Sequence, residues 1–147
     1  MFNKLKTIFD KKIGDEVIEF NTLQIAISSL MIQTAIYDGV FDEVEKNKIL
    51  SLIKNYFQLD GHQMNTLFKT AMEVSDNAND LQQFTRVLND NLTEDEKLDI
   101  IRMLWTIIIA DGHIDDYENA LIRKISGLLY IQDKDVGHIK KEIINKN

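Results

Sequence analysis

Two stretches of the chain carry the residue types that bind hard cations. Asp38-Gly39-Val40-Phe41-Asp42-Glu43-Val44-Glu45 and Asp111-Gly112-His113-Ile114-Asp115-Asp116-Tyr117-Glu118 both read D-G-x-[F/I]-D-[D/E]-x-E, at a constant offset of 73 residues. Carboxylates and backbone carbonyls are oxygen donors, and loops rich in them favour calcium or magnesium over softer metals. Set on an EF-hand loop, Asp38, Gly39, Phe41, Asp42 and Glu45 fall at positions five, six, eight, nine and twelve. Positions one and three are then Thr34 and Ile36, and in the second copy Ile107 and Ile109, so half of the ligands are missing. One loop alone should bind weakly at best. A tighter site requires carboxylates of both copies to converge, as a pseudo-twofold packing of two helical hairpins would allow.

The same residues also have a purely structural account. Glycine supplies the left-handed residue that ends a helix, and Phe41 or Ile114 tucks into the core. Asp42 and Asp115 then cap the next helix, with Glu45 and Glu118 at the capping-box position. Asp38 and Asp111 fit this account poorly. They stand at helix C-terminal ends, where a negative charge opposes the exposed carbonyls at a cost of roughly 0.3–1 kcal/mol each. An Asx-type turn offsets that cost, and a bound cation offsets it better. Capping and cation binding both remain open on the sequence.

Catalytic readings are weak by comparison. Paired acids can run acid–base chemistry or hold metals for hydrolysis. Here they sit at expected helix caps, with no phosphate-cradling glycine loop and no G-x-S-x-G nucleophile context. An enzyme is therefore not expected, and its alternative form would be a metal-dependent hydrolase. His113 lies between Asp111 and Asp115 and could add a nitrogen ligand, but its counterpart is Val40. His62 and His138 read as surface residues, and Trp105 as a core residue of its helix.

Helices must carry these loops. Apolar spacing predicts a short amphipathic helix ending near Gly14, then helices over about 20–37, 42–58, 61–74, 79–90, 94–110, 115–130 and from 133 onward. Thr93-Glu94-Asp95-Glu96 is a capping box that opens the sixth. The repeat continues past the loops as Ile49 with Ile122, Leu52 with Ile125, Phe57 with Tyr130 and Asp60 with Asp133. Residues 1–147 thus read as one all-α domain. It comprises a basic helix (1–14), two similar halves (20–60 and 93–133) and connecting helices (61–91).

Composition agrees and narrows the function classes. The 147 residues contain no cysteine and no proline, which excludes disulfides, zinc–thiolate sites and thiol catalysis and suits long helices. A net charge of −7 argues against nucleic acid as a partner. Residues 1–14 carry +3 and residues 132–147 carry +1, so the body between them holds −11. The uncharged run Phe20–Tyr37 is too polar for a membrane span, and Ile100–Ala110 is too short and contains Arg102. No secretory signal is recognisable, so a cytoplasmic protein is expected. Phe2, Leu5, Ile8 and Phe9, with four lysines, either dock on the acidic body or lie on an anionic membrane face. The second arrangement would place the protein peripherally at the inner face of the membrane.

The paired A/Y-D-G-x-[F/I]-D-x-x-E loops, on helices some 70 residues apart in an acidic helical chain, resemble the tellurite-resistance TerB family. They are also similar to the N-terminal domain of DjlA-type co-chaperones. The resemblance spans about residues 20–133. It implies a compact bundle of seven to eight helices built from two pseudo-symmetric hairpins. It also implies a stress-associated, non-enzymatic scaffold or sensor. By position it carries over a divalent-cation set of Asp38, Asp42, Glu45, Asp111, Asp115 and Glu118, with Glu43 and Asp116 one layer further out. The expected cofactor is calcium or magnesium, without an organic cofactor, and the expected partner is a protein. No J domain or membrane anchor is recognisable in these residues, so a co-chaperone role is expected to need a membrane-associated complex that supplies both.

Overall fold

Two helices are buried on almost every side, and the others pack around them. The structure is a computed structural model that describes residues 12–13, 16–17, 20–36, 41–78, 80–112, 114 and 116–146, with only the backbone at 12–13, 16–17 and 111. Seven α-helices lie among the described residues: α1 (Thr22–Ala35), α2 (Glu43–Phe57), α3 (Gly61–Asp76), α4 (Gln82–Asn91), α5 (Glu94–Ile108), α6 (Asp116–Leu128) and α7 (Asp133–Lys146). A 3₁₀ turn, Ile109–Asp111, follows α5. The fold is all-α, as the sequence implies.

Every residue of α1 from Ile25 to Ile32 is buried, Ser28 and Ser29 included, which explains its uncharged, apolar-to-small composition. α5 begins with the exposed acids Glu94, Asp95 and Glu96, then buries Ile100, Ile101, Met103, Leu104, Trp105, Ile107 and Ile108. α1 packs against α5, and also against α2, α3 and α4. Small side chains let α3 come close: Ser75 Oγ donates to Ser29 O (3.2 Å) and Gln33 Nε2 donates to Ser75 O (3.0 Å). These bonds satisfy polar groups that burial would otherwise penalise. Capping boxes fix three helix starts, at Asn21/Gln24, Asp60/Gln63 and the expected Thr93/Glu96. No helix among the described residues is long and apolar enough to cross a membrane.

The internal repeat is longer than the two hairpins. α1, α2 and α3 have α5, α6 and α7 as counterparts, with α2 and α3 packed on α1 as α6 and α7 are on α5. Among the connecting helices only α4 lacks a counterpart. It packs against α1 and α6, where Asn89 Nδ2 donates to Leu128 O (2.9 Å). Lys97 Nζ takes the neighbouring carbonyl, Leu129 O, at 3.3 Å, so two donors close the end of α6. Across α5 and α7, Arg102 bridges Asp99 (2.8 Å) and Glu142 (2.9 Å). The Glu142 hydrogen bond is the main cause holding the guanidinium pKa above its ordinary value.

The offset of 73 does not run to the end of the repeat. Gln58 (φ 56°) and Tyr130 (φ 61°) are the left-handed residues that end α2 and α6. Leu59 N–H then bonds Lys54 O and Ile131 N–H bonds Ser126 O, both at 2.9 Å, which is the same Schellman closure. Tyr130 therefore matches Gln58 rather than Phe57, and the buried Leu129 takes the place of Phe57. α6 is one residue shorter than α2 between loop and turn, and from there the offset is 72. At that offset Met64, Leu67 and Ala71 of α3 match Val136, Ile139 and Ile143 of α7, which line its buried side.

At the N-terminus, Lys12–Ile13 pairs antiparallel with Glu16–Val17, where the sequence reading expected the end of a helix. The pairing of these short segments overrides the helical spacing there. Residues 1–11 of the expected basic helix lie outside the described residues.

The left-handed ends make a stability prediction. Gln58 is exposed and non-glycine at positive φ, so Gln58→Gly should raise unfolding free energy by about 1 kcal/mol. Tyr130→Gly should gain less, because the Tyr130 ring lies 5.9 Å from Lys97 Nζ and that contact is lost. Urea titration of the two variants checks the order.

Candidate functional site

Each acidic loop begins where a central helix leaves the core. α1 ends at Ile36, whose N–H still reaches Ile32 O (3.0 Å). The described chain resumes at Phe41, half-buried and 6.1 Å from Phe68 between ring centroids. Asp42 follows in extended geometry, and its Oδ1 accepts the Glu45 N–H at 2.8 Å. The expected N-cap role of Asp42 is therefore present. Glu43 and Val44 face solvent.

Glu45 differs from an exposed capping residue. It is 6% exposed and stands on the inward stripe of α2 with Ile49 and Ile53. Glu118, its counterpart, is 9% exposed on the inward stripe of α6 with Leu121, Ile122 and Ile125. Neither is without a partner. A carboxylate is rarely buried unless it is paired, so duplicated burial at one position of the repeat is the strongest chemical feature of the described loops. The spacing Glu45-Ile49-Ile53 carries this signal in the sequence, whereas the capping-box position accounts for the glutamates within a single turn and says nothing of their burial.

The second loop starts with the 3₁₀ turn Ile109–Asp111 and closes at Gly112 (φ 84°), whose N–H reaches Ile109 O at 2.9 Å. The left-handed role expected of the loop glycine is thus seen at Gly112. Ile114 is half-buried, while Asp116 and Tyr117 are exposed. The turn Ile109–Asp111 lies against α2, the helix that the first loop introduces. The start of the second loop and the helix of the first are thereby neighbours.

Among the proposed ligands, Asp42, Glu43, Glu45, Asp116 and Glu118 are described in full. Asp38, His113 and Asp115 lie outside the described residues, as does the side chain of Asp111. Among the described residues no three His, Asp or Glu side chains gather as a metal centre. The missing EF-hand positions have a physical reason. Thr34 is buried with Oγ1 donating to Leu30 O (2.9 Å), and Ile107 is fully buried in α5. Both belong to the core rather than to a loop. His62 and His138 are exposed on α3 and α7, and Trp105 is buried, as expected.

Comparison with known proteins adds the family. The family model described as tellurite resistance protein TerB matches residues 24–141, which takes in every helix described except the ends of α1 and α7. The fold is also similar to a crystal structure of a protein of unknown function from Porphyromonas gingivalis W83. That similarity has a TM-score of 0.60 and 22% identity, and covers 88% of this chain and 97% of the other. No curated protein matches the chain.

The cap at Asp42 gives a second prediction. In chelator, Asp42→Ala should cost about 0.5–2 kcal/mol of unfolding free energy, and Asp42→Asn only a few tenths, because asparagine caps nearly as well. Denaturant unfolding of both variants measures the difference.

Proposed function

The chain belongs to the tellurite-resistance TerB family, and we propose that it acts as a non-enzymatic scaffold or sensor domain whose acidic loops bind a divalent cation. The observation that carries this reading is the placement of Ile109–Asp111 against α2. It makes one site for carboxylates of both loops geometrically reasonable. The burial of Glu45 and Glu118 at equivalent positions adds support, since both point their helices' acidic character inward. The donor set is all oxygen, which fits calcium or magnesium. Asp38, Asp42, Glu45, Asp111, Asp115 and Glu118 would hold the ion, with Glu43 and Asp116 outside them and His113 as an optional nitrogen donor.

When bound, the cation would offset repulsion among these carboxylates and the unfavourable charge at two helix ends. That neutralisation would fix the angle between the α1–α2 and α5–α6 hairpins. A protein partner reading this angle would sense the ion, within a tellurite-type stress response. The net charge of −7 favours a basic protein surface as that partner over nucleic acid.

A second reading is favoured by one specific contact. Asp42 Oδ1 already accepts the Glu45 N–H, so part of the motif is engaged in capping without an ion. On that reading the domain is a metal-independent acidic interaction module or a co-chaperone-associated domain. Its partner binding would be salt-sensitive and indifferent to chelator.

Calorimetric titration with calcium, magnesium and manganese separates the two. Cation binding predicts heat and a rise in melting temperature, worth about 2.7 kcal/mol when free ion is a hundredfold above Kd. Glu45→Gln, Glu118→Gln, Asp38→Asn and Asp111→Asn should each weaken it. Absence of heat and of any thermal shift at millimolar ion would leave capping as the whole role of the loops.

A further inference from the structure

α2 and α5 meet along an open groove of about 380 Å³ lined by Leu52, Asn55, Tyr56, Asp99, Arg102 and Met103. Its floor is apolar: Leu52 is half-buried, Met103 is 8% exposed and Tyr56 37%. Leu52 and Tyr56 stand one turn apart on the same stripe of α2, as Asp99 and Met103 do on α5. The rim is acidic. Arg102 is already bonded to Asp99 and Glu142, and the exposed Glu96 precedes Asp99 by one turn. Three carboxylates thus face one guanidinium, a net charge of −2. Lys48 stands one turn beyond Leu52, at the other end. Burial first, and then the charges of Glu96 and Asp99, push the Tyr56 phenol above its ordinary pKa, so the tyrosine registers the negative rim.

The groove lies at the end of the bundle where α1 begins. α2 follows α1 after a short connection and packs on it, so its last turn stands beside the first turn of α1. Glu96 and Asp99, near the start of α5, act on Tyr56 at the same end. The chain enters α1 through Phe20, which is buried. Before it, Lys12 is the antiparallel partner of Val17. Cα atoms of such a pair are about 4.5–5.5 Å apart, and from Val17 to Phe20 the chain reaches at most about 11 Å, so residue 12 lies within roughly 16 Å of Phe20. The pairing therefore tethers residues 1–11 close to this end of the bundle, at a high local concentration.

We propose that residues 1–11 of this chain, which lie outside the described residues, seat in this groove as an amphipathic helix. Phe2, Leu5, Ile8 and Phe9 are spaced for one helical stripe, which meets Leu52, Tyr56 and Met103. Lys4, Lys6 and Lys11 against Asp10 bring +2 to a rim of −2. A helix of this length is marginal in water on its own, so an apolar seat is what lets it form. The seat uses none of the acidic-loop residues, so it stands or falls independently of cation binding.

The chain has no cysteine, so a nitroxide attached to the exposed position of Asn55→Cys marks the groove alone. In the full chain it should attenuate the amide NMR signals of residues 2–9. Leu5→Asp combined with Ile8→Asp should abolish that attenuation, and Lys4→Glu combined with Lys6→Glu should weaken it by reversing the charge match. The reverse labelling, at Thr7→Cys, reads the amides of Leu52–Tyr56 and Asp99–Met103 and decides the matter if a label on Asn55 blocks the groove. Mixing spin-labelled chain with isotope-labelled chain that lacks the nitroxide separates the two possible sources of the segment, since only a second copy gives attenuation between molecules. A segment that lies on an anionic membrane instead leaves all signals unattenuated in solution. Absence of attenuation under both labellings, attenuation that survives Leu5→Asp with Ile8→Asp, or attenuation in the mixture as strong as within one chain would overturn the proposal.

Discussion

The architecture depends on burying α1 and the second half of α5 on nearly every side. A helix buried all round needs neighbours on all its faces, and the chain supplies them from the segments that follow each central helix. α2 and α3 cover α1, and α6 and α7 cover α5. Burying one Ile or Leu contributes about 1.5–3 kcal/mol, whereas an aspartate at the wrong end of a helix costs about 0.3–1 kcal/mol. A handful of buried isoleucines thus outweighs the charge of Asp111 where the 3₁₀ turn closes after α5. The core fixes where the acidic loops emerge, and their charge cannot move them.

This hierarchy explains which features were legible in the sequence. The central helices declared themselves through long uncharged runs, and the Thr93/Glu96 capping box through four consecutive residues. Both are local signals. The register of the repeat was harder, because Phe57 and Tyr130 look alike and invite pairing. Position is set instead by the left-handed residue and the Schellman bonds to Lys54 and Ser126. Side-chain likeness says nothing about a single residue lost inside a helix. The correspondence of α3 with α7 was hidden for the same reason, since it shows only at the shifted offset.

The loops were half legible. Their glycines, caps and apolar anchors follow from local rules, and Gly112, Asp42 and Phe41 agree with them. The burial of Glu45 and Glu118 did not follow, because a capping box is defined within one turn while burial is decided by the neighbouring helix. Rotating α2 so that Ile49 and Ile53 face the core also carries Glu45 inward, one turn earlier on the same stripe. The carboxylate is buried as a consequence of packing, and its chemistry follows from that constraint.

Family membership establishes the fold and a tellurite-resistance-type domain, but a fold alone does not assign a site. The differences between the halves are more informative. Starting from one three-helix unit, the first half closes its peripheral space with Phe41 and Phe68, and α4 adds cover over α1 that has no equivalent over α5 among the described residues. The second half has Trp105 where the first has Ile32, Gly137 for Asn65 and Lys140 for Phe68. Each of these changes adds a polar group or removes bulk. Stability alone favours the opposite direction, since a filled apolar contact gains dispersion and a buried unpaired N–H loses a hydrogen bond. The periphery of the first half is thus closed by an aromatic pair, whereas that of the second carries an ammonium over a buried indole.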